Sequence, residues 1–312
     1  MRVIVIGKTD FAGKLAKRIA EATFLEIEER VFPDGEICPR LLITNENELK
    51  DSHVIISLQL ELSQSKNQYL LSLLFTIQNV KRLGAKKITC VMPYHIYSRQ
   101  DRESRLGEPF SSRYLASMLE FAGVNNFITV NSHSYGKIPL NSFFNESNAI
   151  SLSAIPLLSK AIRARISGKK DIICFSPDEG ALKLAKEAAE AINSPYYGAI
   201  RKSRNVNTGE ISQELMGINV SIQDRDIIIV DDLVSSGGTM IGAARILKQQ
   251  GAKSVSLSYV HGVHSLANFK SLQQEEFKVI LTTDTIKSNI QGLETISVID
   301  LLGEWILSSI LK

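Results

Sequence analysis

The chain has 312 residues, more than one typical domain of roughly 100 to 200 residues, which predicts two lobes with an ample core. Its 36 Lys and Arg nearly balance its 33 Asp and Glu, so the net charge of +3 favours neither a nucleic-acid groove nor a membrane-binding face. The cysteines are odd in number and far apart, which predicts buried free thiols in a reducing compartment: Cys38, Cys90 and Cys174.

Short apolar runs alternate with segments of helical periodicity along the whole chain. The runs predict strands at 3–6, 54–58, 88–92, 127–130, 172–175, 227–230, 255–260 and 279–281. This alternation predicts an α/β fold of two similar lobes, each a mainly parallel sheet flanked by helices. We place the first lobe at 1–148 and the second at 149–297, with a C-terminal helix at about 298–312 that can pack back on the first lobe. The likeness of the two halves is compatible with an internal duplication.

Membrane and secretory segments are not expected. Residues 1–7 already form a predicted strand, which argues against a signal peptide. The most apolar helical stretch, 69–77, is far shorter than the roughly 20 residues that span a bilayer. We therefore expect a soluble, cytoplasmic protein with no membrane or nucleic-acid partner.

Two segments of the first lobe carry candidate binding residues. Residues 32–36 form a turn sequence common between structural elements: Phe32, Pro33, Asp34, Gly35 and Glu36. The second segment leaves the carboxyl end of a buried strand as PYHIYSRQDR and ends with Arg99, Gln100, Asp101 and Arg102. Guanidinium groups bind phosphate oxygens or stack on a base, and an amide can pair with an adenine edge. The alternative is a solvated basic loop with an Arg/Asp pair.

Residues 226–240, DIIIVDDLVSSGGTM, carry the most specific signal in the chain. The string predicts a buried strand that ends in Asp231 and Asp232, followed by a turn that opens a helix. This turn is suited to bind a phosphate, because the helix amino terminus offers free N–H groups and the two glycines allow the backbone to approach an anion closely. Hydroxyl groups add further donors, and the predicted phosphate-binding residues are Ser235, Ser236, Gly237, Gly238 and Thr239. The carboxylates would repel that phosphate but suit sugar hydroxyls or a magnesium-bound water. A phosphorylated sugar is predicted; the alternative is an ordinary strand-to-helix turn with a capping Asp.

This loop resembles the phosphoribosyl-pyrophosphate (PRPP) loop of type I phosphoribosyltransferases. Together with FPDGE and RQDR it resembles the ribose-phosphate pyrophosphokinase family, over about residues 3–297, whereas simple phosphoribosyltransferases lack both of the other strings. Further matches are GEP at 107–109, LSAIPLL at 152–158, SPDEGA at 176–181 and TDTI at 283–286. The first three look closer to archaeal-type members than to the commonest bacterial ones.

The resemblance implies transfer of the ATP β,γ-pyrophosphoryl group to the C1 hydroxyl of ribose 5-phosphate, giving PRPP and AMP with Mg²⁺ as cofactor. It implies that FPDGE reaches the ATP adenine of a neighbouring subunit and that RQDR lines the same ATP site. A homo-oligomer, at least a dimer with shared sites, is therefore expected. Two rivals are a non-catalytic, regulatory subunit of this family and, less favoured, a phosphoribosyltransferase.

The family also implies a metal site and a catalytic loop. His133 and Asp178 match metal-site positions, but Asn131 stands where the family carries an aspartate, and its amide supplies no charge. The alternatives are a structural His133 and a helix-capping Asp178. Lys202 and Arg204 match the pair that closes on the reacting phosphates, before a polar segment, 205–213, expected to be a mobile loop. An exposed basic loop is the alternative, and Ser203 replaces an arginine of many relatives.

Overall fold

The computed structural model describes residues 1–19, 21–166, 172–204 and 211–312. It divides the chain into two compact units. The first consists of Met1–Leu152, Thr285–Ser288 and Ser297–Lys312, and the second of Ser153–Asp284 and Asn289–Ile296. Each unit contains one seven-stranded, mainly parallel sheet with helices, which confirms the predicted fold class.

The regular elements alternate between strand and helix through most of the chain. The strands are β1 Val3–Gly7, β2 Thr23–Val31, β3 Ile37–Leu41, β4 His53–Ser57, β5 Leu60–Glu61, β6 Lys87–Val91, β7 Asn126–Val130, β8 Asn148–Leu152, β9 Ile173–Ser176, β10 Tyr197–Arg204, β11 Ile211–Met216, β12 Asp226–Val234, β13 Ser254–Gly262, β14 Ile280–Thr283, β15 Ile286–Lys287 and β16 Glu294–Ile296. The helices are α1 Thr9–Arg18, α2 Lys66–Arg82, α3 Ser111–Ala122, α4 Ile155–Arg165, α5 Leu182–Ala191, α6 Gly238–Gln249, α7 Leu266–Gln274 and α8 Ile299–Ser309.

The two sheets have the same strand order. The first runs β3-β2-β1-β4-β6-β7-β8 and the second β11-β10-β9-β12-β13-β14-β16. In each, an antiparallel hairpin forms one edge, β2–β3 or β10–β11, and the remaining pairs are parallel. Neighbouring parallel strands place their carboxyl ends at one edge of the sheet, which is where ligands bind in such folds.

The first unit also contains the C-terminal helix. Arg18 of α1 donates from Nε to Asp300 at 2.8 Å and from Nη2 to Glu304 of α8 at 2.9 Å. Short strands β5 and β15 pair in parallel and add the returning segment to the same unit. Among the described residues, no helix combines the length and apolarity required to cross a bilayer.

The second unit has a continuous apolar core beneath α6 and α7. Its largest fully buried side chains include Phe175, Tyr259 and Phe269. The central strand β12 is buried from Asp226 to Val230 and becomes partly exposed only from Asp231 to Leu233. The core therefore supports the strand up to the point where its polar residues begin.

One cysteine prediction is wrong. Cys90 and Cys174 are buried, and burial raises the pKa of each thiol to about 12, but Cys38 is exposed. Cys38 lies on β3, the edge strand of its sheet, where alternate side chains point to solvent. Only the two cysteines in central strands behave as the apolar pattern predicts.

Candidate active site

The carboxyl edge of β12 presents the two predicted sugar-binding carboxylates. β12 pairs with β9 only through Ile227–Ile229, so it is open on that side from Val230 onward. On its other side the ladder with β13 continues through Asp231 opposite Tyr259 to Val234 opposite Gly262. The strand therefore extends two residues beyond the predicted end at Asp232, to Val234, because β13 supplies pairing partners there. Asp231 and Asp232 lie within the strand, as predicted.

Asp231 lies in a strongly acidic environment. Its Oδ1 accepts a hydrogen bond from the backbone N–H of Asp232 at 2.9 Å. Burial raises the pKa of the Asp231 carboxyl well above its ordinary value, and the charges of Asp232 and Asp178 raise it further. The three carboxylates thus affect one another, and a cation or hydroxyl donors would relieve their repulsion.

The turn after β12 leads directly into the amino terminus of α6. Gly237 is buried and adopts φ +81°, a left-handed conformation that glycine adopts most readily. No side chain caps α6, and its first backbone bond runs from the Ile241 N–H to the Gly237 carbonyl at 3.0 Å. The preceding N–H groups of the first turn have no partner within a helix. Ser235, Ser236, Gly238 and Thr239 are exposed around them, which is the arrangement that binds anions.

A residue that the sequence did not indicate holds this turn. Asn268 of α7 donates from Nδ2 to the backbone carbonyl of Ser235 at 3.2 Å. The start of α7 is itself fixed, because the Ser265 hydroxyl accepts from the Asn268 N–H at 3.2 Å. No local pattern could reveal the Asn268 contact, since it joins residues 33 positions apart.

The FPDGE segment forms the tip of the β2–β3 hairpin. The Phe32 N–H donates to the Glu36 carbonyl at 2.7 Å, and the Glu36 N–H donates to Asp34 Oδ1 at 3.1 Å. Gly35 has φ +91°, and the Arg30 guanidinium lies 4.3 Å from the Phe32 ring centroid. β2 pairs with β1 only through Glu26, so its last five residues, 27–31, extend past β1. At about 3.3 Å per residue the hairpin projects roughly 17 Å.

The RQDR segment follows β6 and leads into α3. Gln100 Nε2 donates to Glu108 Oε2 at 3.2 Å, and the Gln100 carbonyl accepts from the Ser112 N–H at 3.1 Å. Glu108 of the GEP string therefore holds the Gln100 side chain, and the Gln100 amide nitrogen already donates a hydrogen bond within the chain. Arg99 and Arg102 are exposed, and Asp101 is half-buried. The basic groups of this segment thus face solvent beside the carboxyl edge of the sheet.

One chain does not bring FPDGE and RQDR together. β2 and β6 are separated in the sheet by β1 and β4, which is three strand spacings or about 14 Å. No hydrogen bond or ion pair in the described ranges joins Phe32–Glu36 to Arg99–Arg102. The two segments thus share a sheet edge and make no direct bond with each other within one chain.

The predicted metal residues lie in different units. Asn131 is buried at φ +34° and its N–H donates to the Leu152 carbonyl at 2.8 Å, while His133 is half-buried in the same unit. Asp178, in the second unit, caps the short 3-10 helix Glu179–Ala181, because its Oδ1 accepts from the Ala181 N–H at 3.2 Å. In the part of the chain that is described, no three His, Cys, Asp or Glu side chains converge on one point.

The predicted catalytic pair lies on a strand. The β10–β11 ladder pairs Lys202 with Gln213 and Arg204 with Ile211, so residues 211–213 are strand rather than loop. Two polar segments pair here because each satisfies the other's backbone groups, a stabilisation that hydrophobic periodicity does not reveal. Residues 205–210 and the side chains of Lys202 and Arg204 lie outside the described part of the structure. Arg201, which is described, pairs with Glu179.

Comparison with family models matches both units. Residues 4–123 match the N-terminal domain of ribose phosphate pyrophosphokinase, and residues 145–292 match the phosphoribosyl transferase domain. The chain belongs to the ribose-phosphate pyrophosphokinase family. The family prediction made from FPDGE, RQDR and the PRPP loop is therefore confirmed, and the chain is a member of an enzyme family.

Individual relatives cover nearly the whole chain. A ribose-phosphate pyrophosphokinase of Saccharolobus solfataricus is 30% identical over 95% of this chain and 97% of its own length. Ribose-phosphate pyrophosphokinase 1 of Streptococcus pyogenes serotype M3 is 32% identical over 94% of this chain and 90% of its own. The crystal structure of phosphoribosylpyrophosphate synthetase from Mycobacterium smegmatis superposes with a TM-score of 0.84 at 25% identity, covering 99% of this chain and 98% of that one. Since the first two identities are similar, the archaeal-type leaning stays a prediction.

Proposed function

We propose that this pyrophosphokinase-family chain is an active ribose-phosphate diphosphokinase, which transfers the β,γ-pyrophosphoryl group of ATP to the C1 hydroxyl of ribose 5-phosphate. The observation that carries the proposal is the uncapped amino terminus of α6 directly after the Asp231–Asp232 pair. Such a site offers N–H donors to a phosphate and carboxylate acceptors to hydroxyls within one short segment.

The sugar would bind with its two ends in different parts of this segment. The 5-phosphate accepts from the first-turn N–H groups of α6 and the hydroxyls of Ser235, Ser236 and Thr239. Asp231 and Asp232 accept from the ribose hydroxyls, because their charge excludes the phosphate from that end. Anchoring both ends holds the C1 oxygen in one orientation toward the β-phosphorus, and such positioning supplies much of the rate enhancement in a two-substrate reaction.

ATP would bind between subunits of a homo-oligomer. The projecting β2–β3 hairpin and the roughly 14 Å that separate it from RQDR within one chain support this arrangement. Phe32, Asp34, Gly35 and Glu36 of one subunit would then contact the nucleotide held by Arg99, Gln100, Asp101 and Arg102 of its neighbour. Arg99 and Arg102, both exposed, supply the charge that the triphosphate requires.

Positive charge at the transferred group would come from Lys202 and Arg204, which lie in the hairpin next to β9. Phosphoryl transfer depends on preorganised charge more than on covalent steps. Mg²⁺, when bound, supplies further charge, and oxygen donors suit it. Asp178 and His133 are the residues that the family resemblance assigns to the metal, although no three His, Cys, Asp or Glu side chains converge on one point among the described residues.

A direct assay is AMP release from ATP, with and without ribose 5-phosphate. Activity that requires the sugar supports the proposal, whereas a chain that binds ATP but releases no AMP would favour the regulatory subunit. Asp231→Asn combined with Asp232→Asn should abolish turnover of ribose 5-phosphate and preserve the fold. The matched control is Asp224→Asn, an exposed aspartate in the same unit. An unchanged kcat/KM for the sugar in the double variant would refute the sugar assignment.

Complementation tests the shared site. Glu36→Ala and Lys202→Ala should each inactivate homogeneous oligomers, because both damage every site. In mixed oligomers, some sites would combine an intact Lys202 with an intact Glu36 from the neighbour. Partial recovery of activity is expected, and no recovery after verified subunit exchange would contradict shared sites.

A further inference from the structure

The turn after β12 is held by the segment that joins β13 to α7, residues 263–268. The Val263 N–H donates to the carbonyl of Val234, the last residue of β12, at 2.9 Å. Further along the segment, Asn268 Nδ2 donates to the Ser235 carbonyl at 3.2 Å. The last carbonyl of the strand and the first carbonyl of the turn therefore both accept hydrogen bonds from this one short segment.

A buried tyrosine–histidine pair fixes the start of this segment. Tyr259 and His264 are 0% and 1% exposed, and a hydrogen bond of 2.7 Å joins the Tyr259 hydroxyl to His264 Nε2. The His264 ring also stacks on Phe269 of α7, with ring centroids 5.5 Å apart and an angle of 17° between the ring planes. The His264 side chain thus contacts both the strand before the segment and the helix after it.

The pair is tightly packed and neutral. A Cβ at Gly262 would lie 3.1 Å from His264 Nε2 and 3.3 Å from Tyr259 Cε2, closer than an ordinary van der Waals contact. Glycine at this position therefore lets the backbone lie against both rings. Burial lowers the pKa of the His264 imidazole and raises the pKa of the Tyr259 phenol, so neither group is charged at pH 7.

The pair also connects the two ends of the proposed sugar site. In the β12–β13 ladder, the register partner of Tyr259 is Asp231. The Tyr259 side chain belongs to the same core cluster as Leu272 of α7. Leu272 in turn lies against the turn, since a Cβ at Gly237 would be 3.0 Å from it. The Tyr259 backbone thus borders the carboxylates, while its side chain bonds to His264 at the start of the segment that holds the turn.

We propose that Tyr259 and His264 are positioning residues for the phosphate end of the sugar site, acting through Asn268 on the turn after β12. This inference rests on the proposed function, in which ribose 5-phosphate is the ligand of that turn. Both side chains are fully buried, so they act on the sugar only through other residues. Their hydrogen bond fixes the start of α7 relative to β13, and Asn268 then holds the turn with its N–H groups directed to the phosphate.

Loss of this hydrogen bond should weaken sugar binding without changing the chemical step. A turn that is held in its binding conformation for only part of the time binds its ligand more weakly by that fraction. The reacting groups and the ATP segments belong to other parts of the chain, so kcat should stay nearly constant while the KM rises.

The test is calorimetric binding of ribose 5-phosphate to Tyr259→Phe, which removes one hydroxyl and keeps the ring. The Kd should rise about 3- to 5-fold, as expected for one neutral hydrogen bond, and the KM should rise with it. His264→Phe removes the same hydrogen bond and keeps a ring against Phe269, so it should act in the same direction. Circular dichroism checks that each variant is folded.

Val255→Ala is the matched control for a general loss of stability. Val255 is buried on the same strand and the same face as Tyr259, four residues or about 13 Å toward the amino end. Removing its methyl groups should lower the urea midpoint and leave the Kd for ribose 5-phosphate unchanged.

A double-mutant cycle tests whether the pair acts through Asn268. If it does, Tyr259→Phe should weaken sugar binding no further when Asn268→Ala is already present. Independent effects on the Kd would multiply instead.

The inference is supported if both pair variants weaken binding, the effect is lost in the Asn268→Ala background, and Val255→Ala binds as the wild type does. It is overturned if folded Tyr259→Phe and His264→Phe bind the sugar at wild-type affinity, if the effects multiply, or if Val255→Ala weakens binding equally. A wild-type chain that binds no ribose 5-phosphate would overturn the proposed function and this inference together. A chain that binds the sugar but releases no AMP would contradict the proposed function alone, and the binding comparison would still decide the role of the pair.

Discussion

Gly237 is the position at which the turn before α6 is most sensitive to substitution. In Gly237→Ala, the new alanine must keep the backbone angle φ of +81°, which costs roughly 1–2 kcal/mol for a residue other than glycine. The Cβ would also lie 3.0 Å from Cγ and Cδ2 of Leu272, well inside the usual carbon contact of about 3.5–4.0 Å. Leu272 is fully buried and cannot move aside freely.

We therefore expect a loss of about 2 kcal/mol in the free energy of unfolding, because the backbone term and the steric term add. At about 2–4 °C per kcal/mol for a unit of this size, the melting temperature should fall by about 4–8 °C. If the turn relaxes instead, the N–H groups of Gly238 and Thr239 shift from the phosphate. The KM for ribose 5-phosphate should then rise about 10-fold, which corresponds to about 1.4 kcal/mol of binding.

Gly242, inside α6, is the matched control. A Cβ at Gly242 meets nothing within 4 Å, and Gly242 is not among the positive-φ residues. Gly242→Ala should therefore stabilise the protein by about 0.5–1 kcal/mol and leave the KM unchanged. Urea unfolding and steady-state kinetics measure both effects. If Gly237→Ala matches the wild type in stability and in KM, neither the left-handed backbone nor the Leu272 contact constrains the turn.

Three further changes test the site. Because burial raises the pKa of the Asp231 carboxyl, ionising it in the folded protein lowers the free energy of unfolding at pH values above its unfolded pKa of about 4. Asp231→Asn should therefore raise the free energy of unfolding by about 1 kcal/mol at pH 8 but not at pH 3.5. If Asp231→Asn and the wild type have the same urea midpoint at pH 8 as well as at pH 3.5, this expectation is contradicted. Asn268→Ala removes the donor to the Ser235 carbonyl and should raise the KM for ribose 5-phosphate about 3- to 10-fold at a nearly constant kcat, a split that a general loss of fold would not produce. Lys202→Ala should lower kcat about 100-fold or more while calorimetry finds ribose 5-phosphate binding unchanged; a near-normal kcat would remove Lys202 from the mechanism.

The short strands and the phosphate turn could be predicted because their signals are local. A buried strand is recognised as a run of apolar residues, and the start of α6 is recognised from the consecutive residues Ser-Ser-Gly-Gly-Thr. The edge hairpins were harder to predict. Residues 201–204 and 211–216 are mostly polar, and they become strands because each pairs with the other and β10 pairs with β9.

By itself, the sequence determined the alternation of strand and helix, the family and the candidate residues. Only the tertiary structure decided their surroundings. In the tertiary structure, β12 continues past Asp232 to Val234, and Cys38 is exposed on an edge strand. Gln100 donates a hydrogen bond to Glu108, and Asn268 donates one to the Ser235 carbonyl of the phosphate turn. The physical reason is that burial, strand pairing and charge environment depend on neighbours contributed by distant segments, which local periodicity does not specify.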